Sequence, residues 1–348
     1  MKRNLIRLTG VGVLLIVLFS LLGFSGGAAF DRSNIYEVLS RHGALGVITL
    51  GAALLIVVGG IDLSIGSVVG LSAVTFGVLM ESGIDLSGTI FGYRYVILTT
   101  SPISPIPAML IATGMGTIIG FIQGLLVTRL RLQAFLVTLC GMFIYRGVAR
   151  QVTAKNTGLV GVRELHPEFG STLDFLRFWL VGKAENGALV FPAQLVVCLV
   201  LATILGVILH RTVFGRYWYA IGYNEQAARY AGVKVERQKL AVFVICSTLA
   251  AFAGVLLLLF SGSANPSDAG TSLELYAITA AVLGGCSLRG GEGLMIGFVL
   301  GALVQPVINN LMIFRNIPSS AEPWVMGLIL LIGTIADEMI RRRSRLSR

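Results

Sequence analysis

Charged residues are unusually few in this sequence. Charged residues make up 13% of the 348-residue chain, whereas a soluble globular domain carries about a quarter. Hydrophobic residues reach 55%, and the mean hydropathy is +0.85. Apolar runs of roughly 20 residues, the length that crosses a bilayer as a helix, recur along the chain. The composition therefore excludes a soluble domain and predicts an all-α integral membrane protein.

The sequence also lacks the motifs of common catalytic sites. It contains no GxxxxGK(S/T) phosphate loop, no HExxH and no GxSxG. The glycine-rich stretch 284–293 follows no strand pattern and has no Lys–Ser/Thr pair to hold phosphate and magnesium. The three histidines, His42, His166 and His210, share no helical face with carboxylates. We expect a chain that is not an enzyme, hydrolyses no ATP by itself and binds neither a metal nor a cofactor.

Cysteine is rare as well, and its placement excludes a disulfide framework. The four cysteines are Cys140, Cys198, Cys246 and Cys286. All fall inside or beside apolar runs, none is near another in the sequence, and no CxxC occurs. They are predicted to be small buried residues rather than disulfide partners or metal ligands.

The net charge of +10 raises the possibility of a nucleic-acid surface, but its distribution disfavours one. Basic residues cluster before the first apolar run, between the fourth and fifth runs at Arg129 and Arg131, and in the loop 211–238. The C-terminal tail adds Arg341, Arg342, Arg343, Arg345 and Arg348. Short flanking segments of this kind follow the positive-inside rule. The charge is therefore predicted to orient the chain in a membrane.

We predict about ten transmembrane helices in a single transmembrane domain spanning residues 1–348. They run over 8–28, 43–59, 63–80, 106–128, 132–149, 190–210, 239–261, 273–288, 294–313 and 323–340. The N-terminal segment resembles a signal peptide, but its apolar part is long enough to span, so an uncleaved first helix is favoured. The even count places both termini and the loop 211–238 in the cytoplasm, and the segments 81–105 and 150–189 outside.

Two glycine-rich breaks interrupt apolar runs. VVGGIDLSIGSVVG covers residues 57–70, and VLGGCSLRGGEGLMIG covers 282–297. Such breaks in two halves of a transporter are typical of discontinuous helices that line a pathway. We therefore predict two Gly-broken hairpins; an internal duplication and a chance similarity both remain open.

Four polar residues near or inside the spans are candidates for the translocation pathway: Asp62, Gln123, Asn309 and Asn310. A charged residue at membrane depth indicates function by default. Each has a structural alternative, however. Asp62 precedes an apolar helix and is favoured as its N-cap, and the three amides are suited to hydrogen bonds between helices.

The loop 219–240, YAIGYNEQAARYAGVKVERQKL, predicts a short capped helix. Asn224 is a good N-cap, Glu225 suits the positive helix end, and Gly232 suits the residue just past the helix. Glu225 and Arg229, four residues apart, can pair. A helix this short is unstable alone. Its other face, Ala227, Tyr230 and Ala231, therefore needs a docking surface, either on this chain or on a partner.

Outside the membrane, STLDFLRFWL (171–180) predicts a short amphipathic piece on the membrane surface.

Four blocks of this sequence, 57–74, 123–149, 214–255 and 273–303, resemble ABC importer permeases of the ribose, galactose and xylose type. The resemblance implies a permease of the bacterial inner membrane that works with a cytoplasmic ATPase holding ATP and magnesium, a periplasmic or lipid-anchored solute-binding protein and a second permease copy. It assigns ATPase coupling to Asn224, Glu225, Ala227, Ala228, Arg229 and Gly232. Gln123, Gln133–Phe135, Cys286 and Arg289 depart from the family pattern.

The solute implied by this resemblance is a monosaccharide or a similar small polar molecule. The alternative is a self-sufficient secondary carrier or channel that uses Asp62 and the two broken hairpins.

Overall fold

Helices dominate the computed structural model, which describes residues 2–24, 27–83, 85–90, 93–99, 101–153, 155–184, 186, 188–329, 331–332 and 335. The chain divides into two compact units. The first unit comprises Met1–Gly60, Leu195–Gln238 and Leu275–Arg348. The second unit comprises Ile61–Gln194 and Lys239–Glu274. Both units are therefore assembled from separate stretches of the sequence.

The helices are α1 Lys2–Gly23, α2 Arg32–Val57, α3 Ile65–Glu81, α4 Pro105–Thr128, α5 Ala134–Val152, α6 Leu159–Leu165, α7 Gly170–Leu176, α8 Ala193–Arg211, α9 Val213–Tyr223, α10 Glu225–Tyr230, α11 Val235–Ser261, α12 Leu273–Leu283 and α13 Met295–Phe314. A π-helical turn, Arg177–Val181, continues α7. Residues 322–329 are also helical. The strands are β1 Asp85–Ile90, β2 Tyr93–Thr99, β3 Thr157–Gly158 and β4 Ser263–Ala264.

Five helices in the described part of the chain are long and apolar enough to cross a membrane: α2, α4, α8, α11 and α13. Shorter apolar helices cover Thr9–Gly23, Ile65–Glu81 and Leu273–Leu283. These helices confirm an all-α membrane protein, while the count of ten spans stays a prediction. The basic tail 341–348 and much of the predicted tenth span lie outside the described residues.

In the first unit, α13 packs against α1 and α2. Their apolar core includes Val11, Leu15, Val38, Val304 and Ile308. α2 begins at Arg32, about three turns before the predicted start of its span at residue 43. The early turns are polar and are supported by the ion pair between Glu37 and Arg41, four residues apart at 2.8 Å. The predicted start of this span at residue 43 rested on apolar residues alone, so the polar extension of α2 was not predicted.

In the second unit, α3 packs against α4 and α5. Phe76, Met80, Leu173 and Leu258 belong to its buried core. Close approach of α4 to α11 depends on small residues, as is usual between membrane helices. A Cβ atom at Gly120 would lie only 2.6 Å from the Phe243 carbonyl oxygen.

The segment 81–105 contains a β-hairpin that the sequence analysis did not predict. β1 and β2 pair antiparallel, with Ile90 opposite Tyr93. The run YRYVILT in β2 is rich in aromatic and β-branched residues, which favour strands. The sequence analysis placed 81–105 outside the membrane and assigned no secondary structure to it.

The cysteines largely follow expectation. All four are free thiols, and Cys198, Cys246 and Cys286 are buried. Cys140 is exposed on α5, so the prediction of burial is wrong for that residue.

Candidate functional site: the coupling loop and a buried polar cluster

The loop between α8 and α11 contains the predicted short helix, α10. Asn224 is its N-cap, and the Asn224 Oδ1 atom accepts a hydrogen bond from the Ala227 backbone N–H at 3.0 Å. The helix ends at Tyr230, and Gly232 has a φ of +83°. The Val233 N–H then donates to the Ala228 carbonyl at 3.1 Å, which closes the helix end. The predicted N-cap and glycine end are confirmed.

The chain itself buries a face of α10 other than the Ala227–Tyr230–Ala231 face, for which the expected docking surface was either this chain or a partner. Ala228 is the buried residue of this helix. Ala227, Tyr230 and Ala231 are exposed, and the Tyr230 side chain is 91% exposed. Tyr223, just before the N-cap, is 82% exposed. Within the described residues, nothing covers the Ala227–Tyr230–Ala231 face.

Arg229 is held by carboxylates on both sides. It contacts Glu225 at 3.5 Å, which confirms the predicted i,i+4 pair. It also makes an ion pair with Glu236 in the first turn of α11. The hydrogen bond that Arg229 donates to the Glu236 carboxylate is the main reason that the pKa of Arg229 is raised above its ordinary value. The sequence analysis missed this partner because it requires the chain to fold back after Gly232.

Bare backbone connects α9 to the end of α2 and to the break between α12 and α13. The Gly291 N–H donates to the Val57 carbonyl at 2.8 Å. Gly222 of α9 packs against both groups: a Cβ added there would lie 1.9 Å from the Val57 oxygen and 2.4 Å from the Gly291 nitrogen. Gly290, with a φ of +84°, also meets the Gly222 backbone. Only glycine fits position 222. We call these four residues the glycine junction.

Side chains reinforce the same attachment. The Tyr219 hydroxyl donates to the Gly293 carbonyl at 2.8 Å. The Met295 N–H donates to the Nε2 atom of His210 at 3.2 Å. Buried Trp218 donates to the Gln238 side chain at 3.0 Å. Consequently, α9 is fixed within the first unit, and α10 follows it after one residue. None of these contacts was predicted, because they join residues that are 20, 74 and 85 positions apart in the sequence.

Both predicted breaks contain backbone that only glycine adopts easily. Gly59 has a φ of +86° in the connection that follows α2. Gly285, Gly290 and Gly291 have φ values of +91°, +84° and +73° in the connection between α12 and α13. A residue with a side chain at any of these four positions would strain the backbone.

In the second unit, Asp62 and Gln123 converge on Ser64. The Asp62 Oδ1 atom accepts from the Ser64 N–H at 2.7 Å and from the Ser64 hydroxyl at 2.6 Å. The Gln123 amide donates to the same hydroxyl oxygen at 2.8 Å. The preference for Asp62 as N-cap is wrong: Ser64 is the N-cap of α3, and Asp62 fixes the turn just before it.

This polar cluster of Asp62, Ser64 and Gln123 is enclosed by α5. A Cβ at Gly141 would lie 2.7 Å from the Gln123 amide nitrogen and 3.4 Å from the Ser64 Cβ. All three polar side chains are at most 2% exposed. Within the described residues, Asp62 Oδ2 and Gln123 Oε1 have no hydrogen-bond partner. Two acceptors with unused lone pairs thus lie inside the bundle.

The other two pathway candidates lie in the first unit and bind other helices. Asn310 and Asn34 exchange side-chain amide hydrogen bonds at 2.7 and 3.2 Å. Asn309 donates to Glu322 at 2.9 Å. Among the described residues, no group of three or more His, Cys, Asp or Glu side chains could hold a metal.

Comparison with known proteins identifies the class. The family model described as "branched-chain amino acid transport system / permease component" matches residues 34–334. The chain is 33% identical to a probable ABC transporter permease of Sinorhizobium fredii, over 98% of this chain and 91% of that protein. It is 33% identical to the ribose import permease of Bacillus subtilis, over 93% of this chain and 89% of that protein. The fructose import permease of Rhizobium meliloti is 30% identical, over 94% and 85%. No solved structure matches.

The protein is a multi-pass transport permease of the bacterial inner membrane. More specifically, the chain belongs to the permease family of ABC importers that includes the ribose and fructose permeases. Members are non-catalytic subunits that work with an ATPase and a solute-binding protein, as expected from the sequence.

Proposed function

We propose that this permease imports a monosaccharide or a similar small polar solute and that α10 is its ATPase-docking helix. The uncovered Ala227–Tyr230–Ala231 face is the observation that carries the proposal. A two-turn helix is unstable without packing, and large exposed apolar surface marks an interaction site. An ATPase groove that received this face would complete its burial.

The six proposed coupling residues have different tasks. Asn224 and Gly232 define the two ends of α10, Ala228 packs it onto its own chain, and Ala227 lies on the docking face. Glu225 and Arg229 form an exposed charged strip with Glu236. This strip offers directional contacts to a partner.

Movement would pass from α10 to the membrane through the glycine junction. The hydrogen bond between Gly291 and Val57 joins both breaks of the first unit, and α9 presses directly on it. A shift of α9 on ATP binding would therefore reach the ends of α2 and α13 together. This transmission needs no covalent chemistry in the permease, because ATP and magnesium bind in the ATPase.

Asp62 and Gln123 are the better pathway candidates. Their unpaired oxygens are acceptors, and sugar hydroxyls are donors. Asn309 and Asn310 are already engaged by Glu322 and Asn34. The names of the ribose and fructose import permeases agree with a neutral solute rich in hydroxyl groups.

The complex would contain two permease chains, this one twice or with a related copy. We propose ten spans with two Gly-broken hairpins, both termini and α10 in the cytoplasm, and a periplasmic or lipid-anchored binding protein outside. The distribution of arginines around the predicted spans supports this orientation.

Reconstitution tests the proposal. Proteoliposomes that contain the chain, its ATPase and its binding protein should accumulate radiolabelled ribose or fructose only with ATP. Uptake by the chain alone, driven by an ion gradient, would instead establish a self-sufficient carrier, an alternative that no comparison favours.

A further inference from the structure

Residues 170–181 of the second unit form a short amphipathic element that the coupling proposal does not use. α7 and the π-helical turn after it place Leu173, Leu176 and Val181 in the buried core. Because these three residues lie on one side, the opposite side points away from the protein.

That opposite side is aromatic. Phe175 and Trp179 are 58% and 60% exposed, and Phe178 is also exposed. The Phe178 and Trp179 rings meet edge to face with centroids 5.6 Å apart, and the Phe175 and Trp179 centroids are 6.3 Å apart. We call these three residues the aromatic face. Because the rings pack on one another, they form one continuous apolar surface rather than three separately exposed side chains.

Two cationic side chains beside the aromatic face attach this element to the end of α11. Arg177 donates to the Leu259 carbonyl at 3.3 Å, and Lys183 donates to the Phe260 carbonyl at 2.5 Å. Both carbonyls belong to the last turn of α11, which ends at Ser261. α11 has 27 residues, which at 1.5 Å per residue gives about 40 Å, longer than the hydrocarbon core of roughly 30 Å. A helix of this length extends past the hydrocarbon core, so its last turn fits a membrane–water interface.

The neighbouring surface is exposed and apolar. α7 packs against α4, one of the five helices that can span the membrane. On the first two turns of α4, Ile106 and Leu110 are exposed apolar residues. The aromatic face continues this apolar surface at the level where tryptophan and tyrosine are enriched in membrane proteins.

We propose that Phe175, Phe178 and Trp179 form an interfacial anchor that inserts among the lipid headgroups and upper acyl chains. An aromatic ring beside anchored cations suits this layer, which is apolar on one side and wet on the other. The anchor would fix the depth and tilt of the second unit. This inference depends on the membrane location of the chain and is independent of the ATPase-docking role of α10.

Tryptophan quenching in nanodiscs tests the anchor. The chain has three tryptophans, so Trp218→Phe with Trp324→Phe leaves Trp179 as the only one. We expect strong quenching by phospholipids brominated at the upper acyl carbons, weaker quenching by lipids brominated near the chain ends, and little quenching by aqueous iodide. The matched control, Trp179→Phe with Trp324→Phe, retains buried Trp218, which neither probe should reach.

Strong iodide quenching of Trp179 without lipid quenching would overturn the proposal. Iodide quenching that disappears when the solute-binding protein is added would instead assign the aromatic face to that partner. If the double variant does not fold, the difference in quenching between the unmodified chain and Trp179→Phe gives the same answer, because only the Trp179 signal differs.

Discussion

Gly222 and Val57 touch through backbone atoms alone: a methyl group added to Gly222 would lie 1.9 Å from the Val57 carbonyl oxygen. That oxygen already accepts the Gly291 N–H at 2.8 Å. Gly222 is only two residues from the N-cap of the exposed helix α10. The contact therefore joins the loop that we propose for ATPase docking to the end of a candidate membrane span.

Replacing Gly222 with alanine should uncouple the transporter. The Cβ would push α9 off Val57 and Gly291, while α10 keeps its cap and its exposed face. We expect ATP-driven uptake to fall by about tenfold or more, equivalent to roughly 1.4 kcal/mol of lost coupling, with ATP hydrolysis retained. Uptake and hydrolysis are measured together in proteoliposomes.

The matched control for this experiment is Gly147→Ala, because a Cβ at Gly147 meets nothing within 4 Å. Should Gly222→Ala fail to insert, Tyr219→Phe removes the hydroxyl that donates to Gly293 and also contacts His210 Nδ1, and it should cause a smaller uncoupling. Unchanged uptake in Tyr219→Phe and Gly222→Ala would show that the glycine junction transmits nothing.

Reversing charges on α10 should weaken coupling without affecting membrane insertion. Arg229→Glu places a third carboxylate beside Glu225 and Glu236, and Glu225→Lys places a second cation beside Arg229. In both variants we expect weaker pull-down of the ATPase and lower uptake per ATP hydrolysed. Lys234→Glu, outside α10 in the same loop, controls for charge alone. Normal ATP-dependent transport in both variants would remove the coupling assignment.

The bridge between Asp62 and Gln123 should stabilise the second unit. Ser64→Ala leaves buried polar atoms of Asp62 and Gln123 without their shared partner, and each unsatisfied group costs about 1–3 kcal/mol. We expect a lower thermal unfolding temperature, measured by fluorescence in detergent. Ser82→Ala serves as the control, since the Ser82 hydroxyl lies at the exposed end of α3 and donates to the carbonyl of the adjacent Gly83. An equal loss in both variants would contradict the bridging role.

The amide pair between Asn34 and Asn310 should behave as a coupled unit. Asn310→Leu or Asn34→Leu alone leaves one amide unsatisfied between α2 and α13, whereas the double substitution removes both polar groups. A double-mutant cycle of thermal unfolding should give a coupling energy of about 0.5–2 kcal/mol, the range measured between membrane helices. Additive effects would mean that the two amides do not depend on each other.

What the sequence predicted well rests on local chemistry. The cap at Asn224, the end at Gly232 and the Glu225–Arg229 pair are specified within one short segment, so they were predictable without the fold. The apolar helices were equally visible, because their length and composition are sufficient evidence.

What the sequence did not predict depends on distant segments. The burial of Ala228 rather than Ala227 follows from how α10 lies on its own chain, and the Arg229–Glu236 pair follows from where α11 begins. Gly222 looked like an ordinary helical glycine, since nothing local shows that Val57 and Gly291 press on it. The hairpin at 85–99 was missed because its apolar strand has no alternating pattern.

The Asn34–Asn310 pair also sets an order of assembly. Its partners are 276 residues apart, and the first unit draws on both ends of the chain. During synthesis from the N-terminus, α2 exists long before α13, and the Asn34 amide can pair with Asn310 only after α13 has been made. The second unit is complete by Glu274. The half of the protein that begins first is therefore the half that finishes last.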